Sequence, residues 1–300
     1  MILVFSVLGG LGGAFLNSPA LGAIAHYFNA RRGFATGLAT TAGGIGGIVF
    51  PLLLQALIPR IGFAWSTRIM GFILLGVLLP SNLFIRSRFP PKDVSAALRP
   101  DPTVFLSLRF TLLCLAIFFI EYGVLIPMTY IVSYAVSSGQ EPTSSYSLLA
   151  LLNAGSTAGR VIPGLVSDKV GRFNVLIISV GFCAVMVLGL WLPAGHSKAS
   201  LTAFAVLLGF GSGSNVGLVP VCLGQLCDTR DYGRFLSMAM ISASFGTLSS
   251  IPVGGALLGA GDRIGWISLI LFSGVSYVLC LICCVSVRVL AVGWRLKAVF

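Results

Sequence analysis

Apolar positions in this chain come in long unbroken runs, separated by short polar or glycine- and proline-marked breaks. Runs of about twenty residues suit helices crossing a ~30 Å hydrocarbon core, whereas membrane strands alternate apolar with polar positions. The breaks delimit nine predicted helices, at 2–27, 33–58, 65–85, 109–135, 146–166, 173–193, 199–223, 235–259 and 265–287. One longer polar stretch, 86–108, carries Arg86, Arg88, Lys92, Arg99, Asp101 and four prolines. Its backbone could not satisfy itself in lipid, so it reads as a linker. The predicted fold is an all-α polytopic membrane protein.

Composition narrows the class. Hydrophobic residues make up 57% of the 300 and charged residues 9%, with a mean hydropathy of +1.01. A soluble domain needs far more polar residues, and a disordered chain far fewer large apolar ones. The net charge of +11 does not point to nucleic acid, because Lys and Arg sit in the breaks between runs. With 86–108 placed in the cytoplasm, 14 of the 19 Lys and Arg fall on the cytoplasmic side, four on the other, and Arg160 inside a helix. The linker and C-terminus are therefore expected in the cytoplasm. Seven cysteines lie within or beside apolar runs and read as small hydrophobes. Cys280, Cys283 and Cys284 lack the second pair or histidines of a zinc site, so no metal or cofactor is expected. No metalloprotease, nucleophile-elbow or P-loop pattern occurs, so an enzyme is not expected either.

An internal repeat appears at an offset of 201 residues, pairing Pro19 with Pro220, Pro51 with Pro252, Trp65 with Trp266, Gly10 with Gly211 and Gly12 with Gly213. Related helices cross in the same direction, as in the two halves of major-facilitator transporters. Three helices precede the repeated trio in the second half and none in the first. The chain is thus expected to hold a partial N-terminal bundle (1–85), the linker (86–108) and a six-helix bundle with a short tail (109–300). The counterpart of residue 109 would fall about 90 residues before Met1.

Few polar residues lie deep in the runs. Arg160 is eight residues before Asp168, roughly 12 Å inside the helix end. A charge there costs on the order of 3 kcal/mol or more and implies a cavity or a partner. Asn153, Ser156, Thr157 and Arg160 form one stripe at helical spacing, and a guanidinium on it suits a carboxylate held bidentately. The competing reading is an arginine paired internally between helices. Ser212, Ser214 and Asn215 on 199–223 add hydrogen-bonding groups, with Asn215 the candidate taken into the site. Glu121 lies near the bilayer midplane, where low dielectric disfavours the carboxylate, making it a candidate proton carrier, a partner for Arg160, or a neutral side chain hydrogen-bonded to a neighbouring helix. The SDKVGR segment places Asp168, Gly171 and Arg172 in a tight turn. There Asp168 is expected to accept from a neighbouring helix N-terminus and from Arg31 or Arg32, as a gating contact. Glycine pairs four apart, such as Gly155–Gly159 and Gly209–Gly213, read as close helix packing.

The stretches NSPALGAIAHYFNARRGFATGLATTAGGIGGIVFP, WSTRIMGF and NAGSTAGRVIPGLVSDKVGRFN resemble the fungal monocarboxylate-transporter-like branch of the major facilitator superfamily, over nearly the whole chain. The resemblance implies alternating access around a cavity between two six-helix bundles, with the first three helices lacking here. It implies Arg160 as the contact to a substrate carboxylate. It also marks departures: the family's proton-coupling aspartate is replaced by Ser156, and its first-helix lysine has no counterpart. Related fungal proteins include a riboflavin transporter. The expected function is secondary transport of a small organic solute, a monocarboxylate or other organic anion, with a proton as candidate co-substrate, in the plasma membrane rather than the vacuole. The alternatives are a riboflavin-like or other organic solute, and a non-transporting remnant or membrane scaffold.

Overall fold

The computed structural model describes residues 7–86, 88, 102–195, 197–259 and 261–295. Every regular element among them is helical. In order they are α1 (Gly9–Tyr27), α2 (Arg32–Phe84), a 3-10 turn (Pro102–Leu106), α3 (Leu108–Ser137), α4 (Pro142–Val170), α5 (Arg172–Met186) continued by a π-helical turn (Val187–Trp191), α6 (Lys198–Leu226), α7 (Tyr232–Leu258) and α8 (Arg263–Val292). Most of the predicted linker lies outside the described residues, as do residues 1–6 of the first predicted helix and 296–300 of the tail.

Among the described residues six helices are long and apolar enough to cross a membrane: α2, α3, α5 with its π turn, α6, α7 and α8. The chain is a multi-pass membrane protein. Helix α4 matches α6 at 29 residues, but its polar stripe together with Asp168 and Lys169 lowers its hydropathy. Helix α2 runs 53 residues, about 80 Å at 1.5 Å per residue, far more than one crossing needs. Two spans meet at Gly62, whose φ of 76° and ψ of 167° break the helix. A loop was expected between 58 and 65; one glycine suffices, because positive φ is open to it at no steric cost. Ser66 Oγ donates to the Gly62 carbonyl at 2.7 Å and secures the restart.

Local signals set the other ends. Pro142 opens α4, where its missing N–H is harmless. Asp262 caps α8 by accepting from the Gly265 N–H at 2.8 Å. Between α4 and α5 the only non-helical residue is Gly171, at φ 110°. Tight turns of this kind bring the ends of α4, α5 and α2 together.

The core sits mainly after residue 102. Phe110, Ile126 and Ile131 of α3, Phe173 and Leu176 of α5, Trp191, Phe204 of α6 and Tyr277 of α8 are fully buried, whereas α1 contributes Leu21 and Ala25 alone to the apolar core. Helix α3 packs on α7 and α8, α5 on α6 and α8, and α4 lies between α6 and α2. Lipid offers no hydrophobic drive between helices, so glycines carry the tightest contacts. A Cβ at Gly155, Gly159, Gly209 or Gly213 would run into the backbone of the facing helix across the α4–α6 contact.

Candidate functional site

The polar stripe of α4 faces α2, and it meets glycines there. A Cβ at Gly43 would stand 2.7 Å from Arg160 Nη1, one at Gly47 2.7 Å from Asn153 Oδ1, and one at Gly44 would overlap Thr157 Oγ1. Each polar side chain thus occupies the space left by a missing side chain on the neighbouring helix. Arg160 Nη1 donates to the Thr40 carbonyl, while its Nε is buried without a partner. Among the described residues no carboxylate pairs with it. Asn153 Nδ2 donates to the Leu149 carbonyl at 3.0 Å and the Gly47 carbonyl at 3.4 Å, and Thr157 Oγ1 to the Asn153 carbonyl at 2.9 Å. Ser156 is buried on the other flank, its backbone against Gly213 of α6.

Two predicted site residues lie elsewhere. Asn215 is fully buried against α5, its Nδ2 donating to Cys183 Sγ at 3.7 Å and its Oδ1 unpartnered. Helical periodicity puts it on a polar-bearing helix but does not say which neighbour that face meets. Glu121 does not pair with Arg160. Its Oε2 accepts from Thr247 Oγ1 at 2.9 Å, within a seam where Tyr122 and Ser249 hydroxyls bond at 2.7 Å and Tyr130 Oη donates to the Ile251 carbonyl at 3.0 Å. An apolar groove of about 310 Å³ opens beside that seam, lined by Phe105, Cys114, Phe118 and Phe245 among others. It holds none of the predicted site residues.

At the arginine-rich end, the end of α4 and the start of α5 are bonded to the start of α2 and the residues before it. Asp168 accepts from the N–H groups of Gly33 and Phe34, both at 2.9 Å, one carboxylate oxygen to each. This places its charge on the positive end of the α2 dipole. Ser167 and Gly164 press on Gly33, where a Cβ would overlap them. Arg172 Nη2 donates to the Asn29 carbonyl at 2.5 Å, and its Nε lies 3.9 Å from Asp168. Gly171 therefore sits in the tie as well as in the turn.

Arg32 takes a different place from the one expected. It is 1% exposed and donates to three carbonyls: Phe28 at 3.1 Å, Ala25 at 3.1 Å and Gly224 at 2.8 Å. Its guanidinium also lies 5.9 Å from the Tyr232 ring centre. The last carbonyls of α1 and α6 attract a cation, so Arg32 binds helix ends rather than Asp168. Arg31 is exposed. The acceptors of Arg32, like Thr40 for Arg160, are backbone groups with no side-chain signature, which is why sequence reasoning missed them. The glycine counterparts of the stripe were visible as glycine spacings, but not as its partners.

Comparison with known proteins adds family information. The model of the Major Facilitator Superfamily matches residues 1–227. An MFS-type transporter of Penicillium oxalicum is 37% identical over 296 residues, covering 99% of this chain and 69% of that protein. A riboflavin transporter of Saccharomyces cerevisiae is 32% identical over 316 residues, covering 98% of this chain and 61% of the relative. The chain therefore spans about two thirds of the length of such relatives. Among solved structures, the E. coli fucose:proton symporter superposes with a TM-score of 0.72 at 18% identity, over 93% of this chain and 74% of the other, a likeness of fold.

Proposed function

Because the chain belongs to the major facilitator superfamily, we propose that it works as a secondary transporter of a small organic anion, a monocarboxylate in the first instance, by alternating access. The observation that carries the anion reading is the Arg160 guanidinium: the side chain is half-buried between α2 and α4, has no carboxylate partner among the described residues, and keeps a buried, unpartnered Nε. A cation that deep is held at a free-energy penalty unless an anion visits it. Asn153 and Thr157 on the same face would supply neutral hydrogen bonds, whereas Ser156 packs toward α6 and stands outside this set. In this reading 1–85 and 109–300 move against each other across the α2–α4 seam, with Asp168, Arg172 and Arg32 as the cytoplasmic gate, a role supported by the contacts that tie α2 to the end of α4. The linker and C-terminus lie in the cytoplasm, and the plasma membrane is the site of action.

The test is uptake of labelled monocarboxylates by proteoliposomes. Arg160→Ala should abolish it, and unchanged uptake would refute the assignment. A second substrate reading, riboflavin or a similar organic solute, is supported by the 32% identity to the yeast riboflavin transporter. Competition of riboflavin with the carboxylate label separates the two. Proton coupling through Glu121 rests on its depth and on its one hydrogen bond, from Thr247.

A further inference from the structure

Each polar group on the α2-facing side of α4 is opposed by its own glycine, but the glycines differ in what a side chain there would strike. At Gly37 a Cβ would overlap the Arg160 carbonyl oxygen, and 3.7 Å away lies the Gly164 Cα. Both are backbone, which cannot step aside without moving a helix. At Gly43 the Cβ would meet only the end of the Arg160 side chain, with Nη1 at 2.7 Å, Cζ at 3.7 Å and Nη2 at 3.8 Å. A four-bond side chain yields where a backbone does not, so a methyl group at 43 displaces the guanidinium and leaves the helices in place.

The guanidinium has little latitude. Nη1 is fixed by the Thr40 carbonyl, one helical turn before Gly43 on the same helix, and Nε is buried without a partner. Residues 40 and 43 are neighbours on one face, so the carbonyl that anchors Arg160 and the gap that admits it come from the same patch of α2. We propose that Gly43 is a positioning residue for Arg160. Its missing side chain lets the guanidinium lie across the α2–α4 seam, anchored on Thr40, with Nε held ready for the anionic group of the substrate. The inference rests on the reading of Arg160 as the anion contact and adds a second helix to the binding site. The positive charge comes from α4 and its placement from α2, so substrate affinity and the closeness of the two helices become one property.

The experiment uses the full chain in proteoliposomes and a panel of labelled monocarboxylates (lactate, pyruvate and benzoate). Gly43→Ala is expected to raise KM about tenfold or more while Vmax stays within about twofold, the pattern of lost ground-state and transition-state binding together. Gly46→Ala, one turn from Phe50 of its own helix with a Cβ 3.4 Å from that ring, is expected to match the parent. A Gly43→Ala protein with the parent's KM, or one that loses Vmax at unchanged KM, overturns the proposal. If Arg160→Ala abolishes uptake and Gly43→Ala does nothing, only the positioning role fails. If Arg160→Ala transports like the parent, or the parent takes up none of the panel, the anion reading itself fails and the proposal with it. Should Gly43→Ala aggregate, the double variant Gly43→Ala/Arg160→Ala decides. Recovery of a monodisperse protein shows that the methyl collides with the guanidinium, and continued aggregation overturns the proposal.

Discussion

Removing the Asp168 carboxylate should loosen the arginine-rich end, and the native thiol of Cys227 reports it. Asp168 accepts from two backbone N–H groups at 2.9 Å each. Hydrogen bonds to a charged group contribute about 1.5–3 kcal/mol each, net of the exchange with water, when well buried. The site is only partly buried, so a net loss of about 2–4 kcal/mol is expected for Asp168→Ala. At 1.4 kcal/mol per tenfold, the ratio of closed to open protein falls by roughly 30- to 700-fold. Cys227 follows the end of α6 next to Arg32, half-buried, with Sγ 3.4 Å from the Leu223 carbonyl. Burial pushes its thiol up to about 11, with Asp231 and Asp228 adding to the rise and Arg32 opposing it. At pH 7 only about one thiol in ten thousand is then ionised, against a few per cent for a free cysteine. A water-soluble maleimide should therefore label Cys227 slowly in the parent, about tenfold faster per pH unit up to pH 10. In Asp168→Ala the labelling at pH 7, followed by mass spectrometry of the Cys227 peptide, should be at least about 30-fold faster, with Asp168→Asn intermediate. A rate within about twofold of the parent, in protein that is still monodisperse, would refute the reasoning.

Arg32→Lys should speed Cys227 labelling almost as much as Arg32→Ala, because one ammonium cannot reach three carbonyls set around a planar fork; a lysine variant labelled like the parent would count against that geometry. Gly159→Ala, whose Cβ would overlap the Phe210 carbonyl, should cost about 1–3 kcal/mol or more and lower the yield of folded protein, whereas Gly10→Ala, with nothing within 4 Å, should be silent in the same thermal-unfolding assay. Glu121→Gln keeps a group able to accept from Thr247 but removes the exchangeable proton. Uptake that retains the parent's pH profile in that variant would exclude Glu121 as the proton carrier, and a flattened profile is the expected result.

Apolar run length made the helices legible. The predicted segments 109–135, 199–223 and 265–287 lie inside α3, α6 and α8, and the observed helices extend a few residues beyond them. What the pattern misplaced was the break near 58–65, where helix continues up to a single glycine, because side-chain polarity does not reveal that one positive φ is enough to turn the chain. Asp168 was legible for a different reason: a carboxylate in the last turn of a helix, beside a tight junction, needs donors, and helix N-termini supply them. Arg32 was not, because its acceptors are main-chain oxygens of Ala25, Phe28 and Gly224. The polar stripe could be drawn on α4 from spacing alone, yet spacing gives a face and not its neighbour. Only the packing shows α2 glycines against it, and only the packing turns Asn215 toward Cys183.

The tie at the arginine-rich end joins side-chain charge mostly to main chain, with the Arg172–Asp168 approach of 3.9 Å as a looser side-chain contact within it. Arg32, Asp168 and Arg172 are each answered by peptide groups of Ala25, Phe28, Asn29, Phe34 and their neighbours. A peptide group is the same whatever side chain it carries. Substitution at 25, 28, 29 or 34 can therefore drift without releasing the tie, while Arg32 has no acidic side chain opposite it among the described residues to drift with and Asp168 and Arg172 have only each other. Pairwise covariation, which finds contacts by matched changes at two positions, is blind to a contact of this kind. Across relatives the tie should show as three fixed charges facing variable columns, a contact kept in geometry and recorded in a residue pair only where Arg172 meets Asp168.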